Sequence, residues 1–176
     1  MMKQVAVFTL CSMAAFAAAD GGLIRNLHAQ AQAVESFRTF QGTWSATGQR
    51  QALPTETGQP AAVVRISGAV MLQEATGLSS GFRGEAIGFD DGRMLSVGRA
   101  VWTDGRGDRI FSELKGEPLQ TGRRIFGTIT GGTGRYAGVT GDYELTWQYV
   151  VSTEGEIVQG RATDLRGRFR AAEGQR

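Results

Sequence analysis

Cysteine is nearly absent from these 176 residues, and histidine and proline are scarce: one Cys, one His and three Pro. With Cys11 alone there is no intramolecular disulfide, and a thiolate metal site is excluded. A single histidine, His28, leaves a zinc site to carboxylates, which zinc rarely accepts without nitrogen or sulfur ligands. His28 also lies outside the strand-forming region, so it supports no Ser-His-Asp arrangement. No metal and no cofactor is implied. Charge of one sign is lacking too, with 19 Lys+Arg against 17 Asp+Glu and no basic run longer than Arg123-Arg124. That excludes binding of nucleic acid by phosphate neutralisation.

Long apolar runs are missing except for one. Val5 to Ala19 carries no charge, follows Lys3, and ends Ala17-Ala18-Ala19 before Asp20. This is the layout of a signal peptide with a small-x-small cleavage site, and it is short of the ~20 residues a membrane helix needs. Residues 1–19 are therefore expected to be a signal peptide, with Ala29-Gln30-Ala31 a lower-ranked cleavage site. The mature protein is expected to be periplasmic or secreted, with no stable membrane insertion. Residues 20–37 show a weak helical stripe (Leu23, Ile24, Leu27, Ala31, Val34) and read equally as a short helix or a disordered leader.

Glycine is what the chain has in excess: 26 of 176, about twice the usual share. With so little proline and no short period, these glycines mark a turn-rich all-β protein. Period-two alternation predicts strands at Arg38–Thr47, Ala61–Leu72, Ser80–Phe89, Met94–Thr103, Asp108–Gly116, Arg123–Thr130, Asp142–Val151 and Ile157–Phe169. No helix-length pattern separates them, so parallel βαβ units are excluded. The expected architecture is a single closed antiparallel eight-stranded barrel over residues 38–170, with 171–176 as a disordered tail.

The most specific string is Gly131-Gly132-Thr133-Gly134-Arg135-Tyr136-Ala137-Gly138-Val139-Thr140-Gly141. As physics it is a structural turn, with Arg135-Tyr136-Ala137 able to form one helical turn. No Lys-Ser/Thr follows the glycines, so it is not a phosphate loop. It resembles the GGTGxF/Y-x-x-x-x-G segment of the allene oxide cyclase and dirigent-like barrel proteins, after a strand ending Ile129-Thr130. The resemblance implies an eight-stranded barrel with a central cavity, and no cyclase catalytic residues carry over. Gly42-Thr43-Trp44, with Arg166, Arg168 and Arg170, resembles the calycins, which also form up-and-down barrels.

Two-residue turns at Asp91-Gly92 and Gly105-Arg106 would set Glu85 opposite Gly98, and Gly98 opposite Glu113. On that register Glu85 and Glu113 form either an acid–base pair around a small residue or an exposed ion-pair ladder with Arg83, Arg109 and Lys115. Arg99 then interrupts an apolar face, where a charge needs a partner or an anionic ligand. Tyr143, Trp147 and Tyr149 share one face of their strand. Across a Glu154-Gly155 turn, Trp147 would face Ala162 and Tyr149 would face Gly160, as in a narrow barrel interior.

The candidate ligand-binding set is thus Arg99, Tyr143, Trp147, Tyr149, Trp102 and Trp44. It suits a small hydrophobic or amphipathic molecule held in the cavity of an exported barrel. Two alternatives stand beside it: a cofactor-free cyclase or isomerase that steers a reactive intermediate, and a structural or assembly protein with a filled interior. A homo-oligomer is left open.

Overall fold

A computed structural model describes residues 37–56, 60–73, 75, 77–93, 96–152 and 156–171. The signal-peptide and leader expectations, His28, the Glu154-Gly155 turn and residues 172–176 lie outside them. The strands are β1 (Arg38–Leu53), β2 (Ala61–Gln73), β3 (Gly81–Asp90), β4 (Ser96–Asp104), β5 (Arg109–Pro118), β6 (Arg123–Gly132), β7 (Thr140–Ser152) and β8 (Ile157–Arg170). Each pairs antiparallel with the next, and β8 pairs with β1, closing an eight-stranded barrel in sequence order. A closed barrel leaves no strand edge open to pairing with another chain. Among the described residues the one helical element is a 3-10 turn, Gly134–Tyr136, in the glycine string where one turn was expected.

The expected register fails around β4, and the turns explain why. The β3–β4 connection spans residues 91–95 rather than two, so Asp90 pairs with Ser96. The carboxylates of Asp90 and Asp91 accept the N–H groups of Gly92 (2.9 Å) and Arg93 (2.8 Å), opening a wider turn than a type I′ pair. Between β4 and β5, Asp104 and Asp108 bracket a three-residue loop whose last member, Gly107, has φ +89°. That is the three-residue hairpin with a left-handed glycine. The slips are three residues and one residue, both odd, and an odd slip moves every side chain to the other face. Glu85 opposes Val101 and Glu113 opposes Arg99. Ala100 and Trp102 point inward while Val97 and Arg99 point out.

The interior is layered along the axis. At the end that carries the 3-10 turn, Phe40, Phe82, Tyr136 and Phe169 form a floor. Above it Trp102 stacks at 4.8 Å (ring centroids) on Tyr143, with Phe82 and Phe40 at 5.9 and 6.2 Å. Trp44 follows, 6.3 Å from Trp102, and then Trp147, 5.9 Å from Trp44. Each such aromatic contact adds ~0.5–1.5 kcal/mol beyond the area it buries.

The floor is sealed by the carboxylate of Asp104. It accepts the N–H groups of Arg106 (2.8 Å) and Asp108 (3.1 Å), the guanidinium of Arg135 (2.6 Å) and the hydroxyl of Tyr136 (3.1 Å). The Tyr136 hydroxyl in turn accepts the Ser79 N–H at 3.2 Å. Burial pushes the Asp104 pKa up, but these donors, the Arg106 N–H first, outweigh it and hold the acid below 3.8. Burial pushes the Tyr136 hydroxyl up to about 12. Among the described residues no helix is long and apolar enough to cross a membrane.

Candidate functional site

Inward-facing glycines divide the barrel into a filled half and an open half. In the filled half, rings occupy the space a Cβ would need. A Cβ at Gly127 would lie 2.1 Å from the Tyr143 ring, and one at Gly167 would lie 2.5 Å from Phe40. Trp147 lies 2.5 Å from a Cβ at Gly160, and Val70 with the Trp44 ring lies 2.7 and 2.9 Å from one at Gly84. Toward the other end, Gly88 and Gly98 pair directly across β3 and β4, and Gly116 of β5 pairs with Ser96. No ring covers these three glycines. A Cβ at Gly88 would meet nothing nearer than the Val97 carbonyl oxygen, at 3.2 Å.

The result is a cavity of about 90 Å³ at the end formed by the β3–β4 and β5–β6 turns. Trp44, Trp147, Leu145, Ile125, Ile66 and Leu114 form its apolar wall, and Ala86, Gly88, Gly98 and Gly116 its thin side. Arg123, Asp90, Ser96 and Tyr149 stand around its opening. As it stands it is smaller than the ~300–1,000 Å³ of sites for drug-sized ligands. A space of this size has room for one ring or a short chain.

The polar group of this cavity is one the sequence reading passed over. Arg123 and Asp90 form an ion pair in which the side chains are only 18% and 16% exposed. Arg123 begins β6, where Gly127 and Ile129 are buried at positions of the same parity. That alternation was the available signal, hidden because Arg123-Arg124 looks like a surface basic pair. Tyr149 stands beside them. Burial pushes its pKa up and Asp90 adds to this, while Arg123 and Arg50 oppose it. Arg50 continues on β1 the inward alternation that buries Trp44 and Ala46.

The predicted site residues separate into three groups. Trp44, Trp147 and Tyr149 line the cavity, Tyr149 at the mouth with 39% exposure. Tyr149 pairs with Gly160 as expected, whereas an irregularity in β7 between Glu144 and Gln148 takes Trp147 out of the ladder with Ala162, whose partner on its other side, in β1, is Trp44. Asp164 sits at that irregularity and accepts the Thr146 N–H at 2.7 Å.

Trp102 and Tyr143 do not reach the cavity; they are buried in the packed half. Burial pushes the Tyr143 hydroxyl far up, with Ser112 opposing.

Arg99, Glu85 and Glu113 belong to the outer surface, which corrects the interior placement of Arg99. Arg99 pairs with Glu113, the side chains 65% and 51% exposed, and Glu85 pairs with Arg83 at 3.1 Å. Ion pairs so exposed contribute little stability. The physical reason is the odd slip on either side of β4. Among the described residues no group of three His, Cys, Asp or Glu is placed to hold a metal ion.

No protein-family model matches the chain, and no curated protein matches it. Among solved structures, the pterocarpan synthase dirigent protein GePTS1 is similar, with TM-score 0.45 and 13% identity. The match covers 78% of this chain and 87% of that one. The fold stands on the closed strand order itself, which is the eight-stranded barrel that the resemblance to allene oxide cyclase and dirigent-like proteins implied.

Proposed function

We propose that this barrel binds a small amphipathic molecule in the cavity between Trp44, Trp147 and the Gly88–Gly98–Gly116 wall, and that it does so as an exported protein. The observation that carries the binding reading is the contrast between the two sets of inner glycines. A ring covers Gly84, Gly127, Gly160 and Gly167, whereas at the mouth Gly88, Gly98 and Gly116, in neighbouring strands, line the cavity with no ring over them. Filling such space would add ~0.8 kcal/mol for each buried methylene. A purely structural barrel accounts for the filled half and leaves the open half unexplained.

The test is a titration with the neutral probe cinnamamide, followed by the indole N–H signals of the three tryptophans in a ¹H–¹⁵N spectrum. Trp44 and Trp147 are expected to shift and Trp102, deep in the packed half, to shift least. If none of the three moves with this probe or with its carboxylate counterpart cinnamate, the reading is wrong. The export reading rests on residues 1–19, and N-terminal sequencing of the mature form is expected to start at Asp20. A product that retains Met1 in the membrane fraction would overturn it.

A further inference from the structure

Inside the mouth, the hydrogen bonds of Asp90 leave Arg123 incompletely used. One carboxylate oxygen of Asp90 accepts the Gly92 N–H at 2.9 Å, and the other accepts Arg123 Nη2. Asp90 is thereby committed on both oxygens and does not take Arg123 in the bidentate fork that a guanidinium favours. Arg123 Nη1 is buried and has no hydrogen-bond partner among the described residues. A buried charged donor left unmatched is costly, and its natural complement is a second anionic oxygen. The surrounding charge agrees, since Arg50 and Arg123 both act on Tyr149 against the single acid Asp90. Below Arg123 the cavity offers the aromatic faces of Trp44 and Trp147.

We propose that the ligand is a small monoanion of the aryl or short-chain carboxylate class, its carboxylate on Arg123 Nη1 and its apolar end against Trp44 and Trp147. This deepens the binding reading above and rests on it. Arg123 Nη1 is a single unmatched donor beside Asp90, and one carboxylate is what it takes. The small cavity volume fits a single ring or a few carbons rather than a long chain.

The experiment compares cinnamate with cinnamamide, which share shape and ring and differ in the charge of the head. With the intact protein, cinnamate is expected to bind about tenfold more tightly or better, as a charge-assisted hydrogen bond provides. The Asp90→Asn/Arg123→Met double variant, which buries no unpaired charge, is expected to bind the two equally. Equal binding by the intact protein overturns the anionic head while leaving the cavity reading standing. Absence of any indole shift with either probe overturns both. A preference for cinnamate that survives in the double variant overturns the role of Arg123. Should the double variant fail to fold, Asp90→Asn alone decides. It frees Arg123 from its partner, so the preference widens; an unchanged or narrower preference overturns the proposal.

Discussion

At the residue scale, the glycines of this barrel act chiefly through the side chain they lack. The sequence predicts turns for most of them, which holds for Gly107, with its φ of +89°, and sets Gly160 opposite a ring inside the barrel. Gly84, Gly127 and Gly167 likewise sit within strands and accommodate rings of nearby strands, Tyr143 and Phe40 being the cross-strand partners of Gly127 and Gly167. Composition alone does not separate the two uses, because both require only the absence of a Cβ. The difference has a measurable consequence. In Gly127→Ala the new methyl would stand 2.1 Å from the Tyr143 ring, and that ring is itself stacked on Trp102. Such overpacking costs about 1–3 kcal/mol, so chemical denaturation is expected to show a loss of that order. No loss at all would mean that Tyr143 has room to move and that the floor is not packed as described.

Elements are held in place here by aspartates at strand ends. Asp104 ends β4, shapes the three-residue turn and pins the 3-10 turn through Arg135 and Tyr136. Its folded pKa lies below the ordinary 3.8, so its contribution to stability is complete above that value. The contribution is lost as pH falls from there through the depressed folded value, because protonation removes acceptors the fold uses. Asp104→Asn is therefore expected to lower the melting temperature at neutral pH and to flatten the acid limb of the stability curve. If the variant and the parent lose stability in parallel between pH 5 and pH 2, Asp104 is not the group responsible. The string around Arg135-Tyr136 was legible as a turn, but its tie to Asp104 was not. The partner lies 31 residues back in the chain, and no local pattern announces it.

On the scale of the whole molecule, the barrel is packed at one end and open at the other, and under the proposed function stability and binding compete for the open end. Ala86 lines the thin side of the cavity. Ala86→Leu adds three carbons to an apolar space, each buried methylene adding ~0.8 kcal/mol where it fits without strain. The variant is expected to melt at the same temperature as the parent or higher, and to lose cinnamamide binding. A variant that melts as predicted and still binds would move the ligand site elsewhere. A variant that is strongly destabilised would show that the cavity is too tight to hold a side chain, and so too tight to hold a ligand's ring.

The sequence by itself determined the strand count, the antiparallel order and the helical turn in the glycine string, since period-two alternation and turn chemistry are local properties of the chain. It also placed Trp44, Trp147 and Tyr149 on the inner side of their strands, because a ring on an alternating face follows that alternation inward. The contents of the site were decided only by the tertiary structure. A face is assigned by counting residues through a turn, and two miscounted turns exchanged the inner and outer sides of β4 relative to its neighbours. Arg99 therefore went to the surface with Glu113, and Arg123 emerged as the interior arginine. Local sequence specifies alternation but not its phase. Phase is fixed when eight strands close on one another and each must bury the side that its neighbours bury.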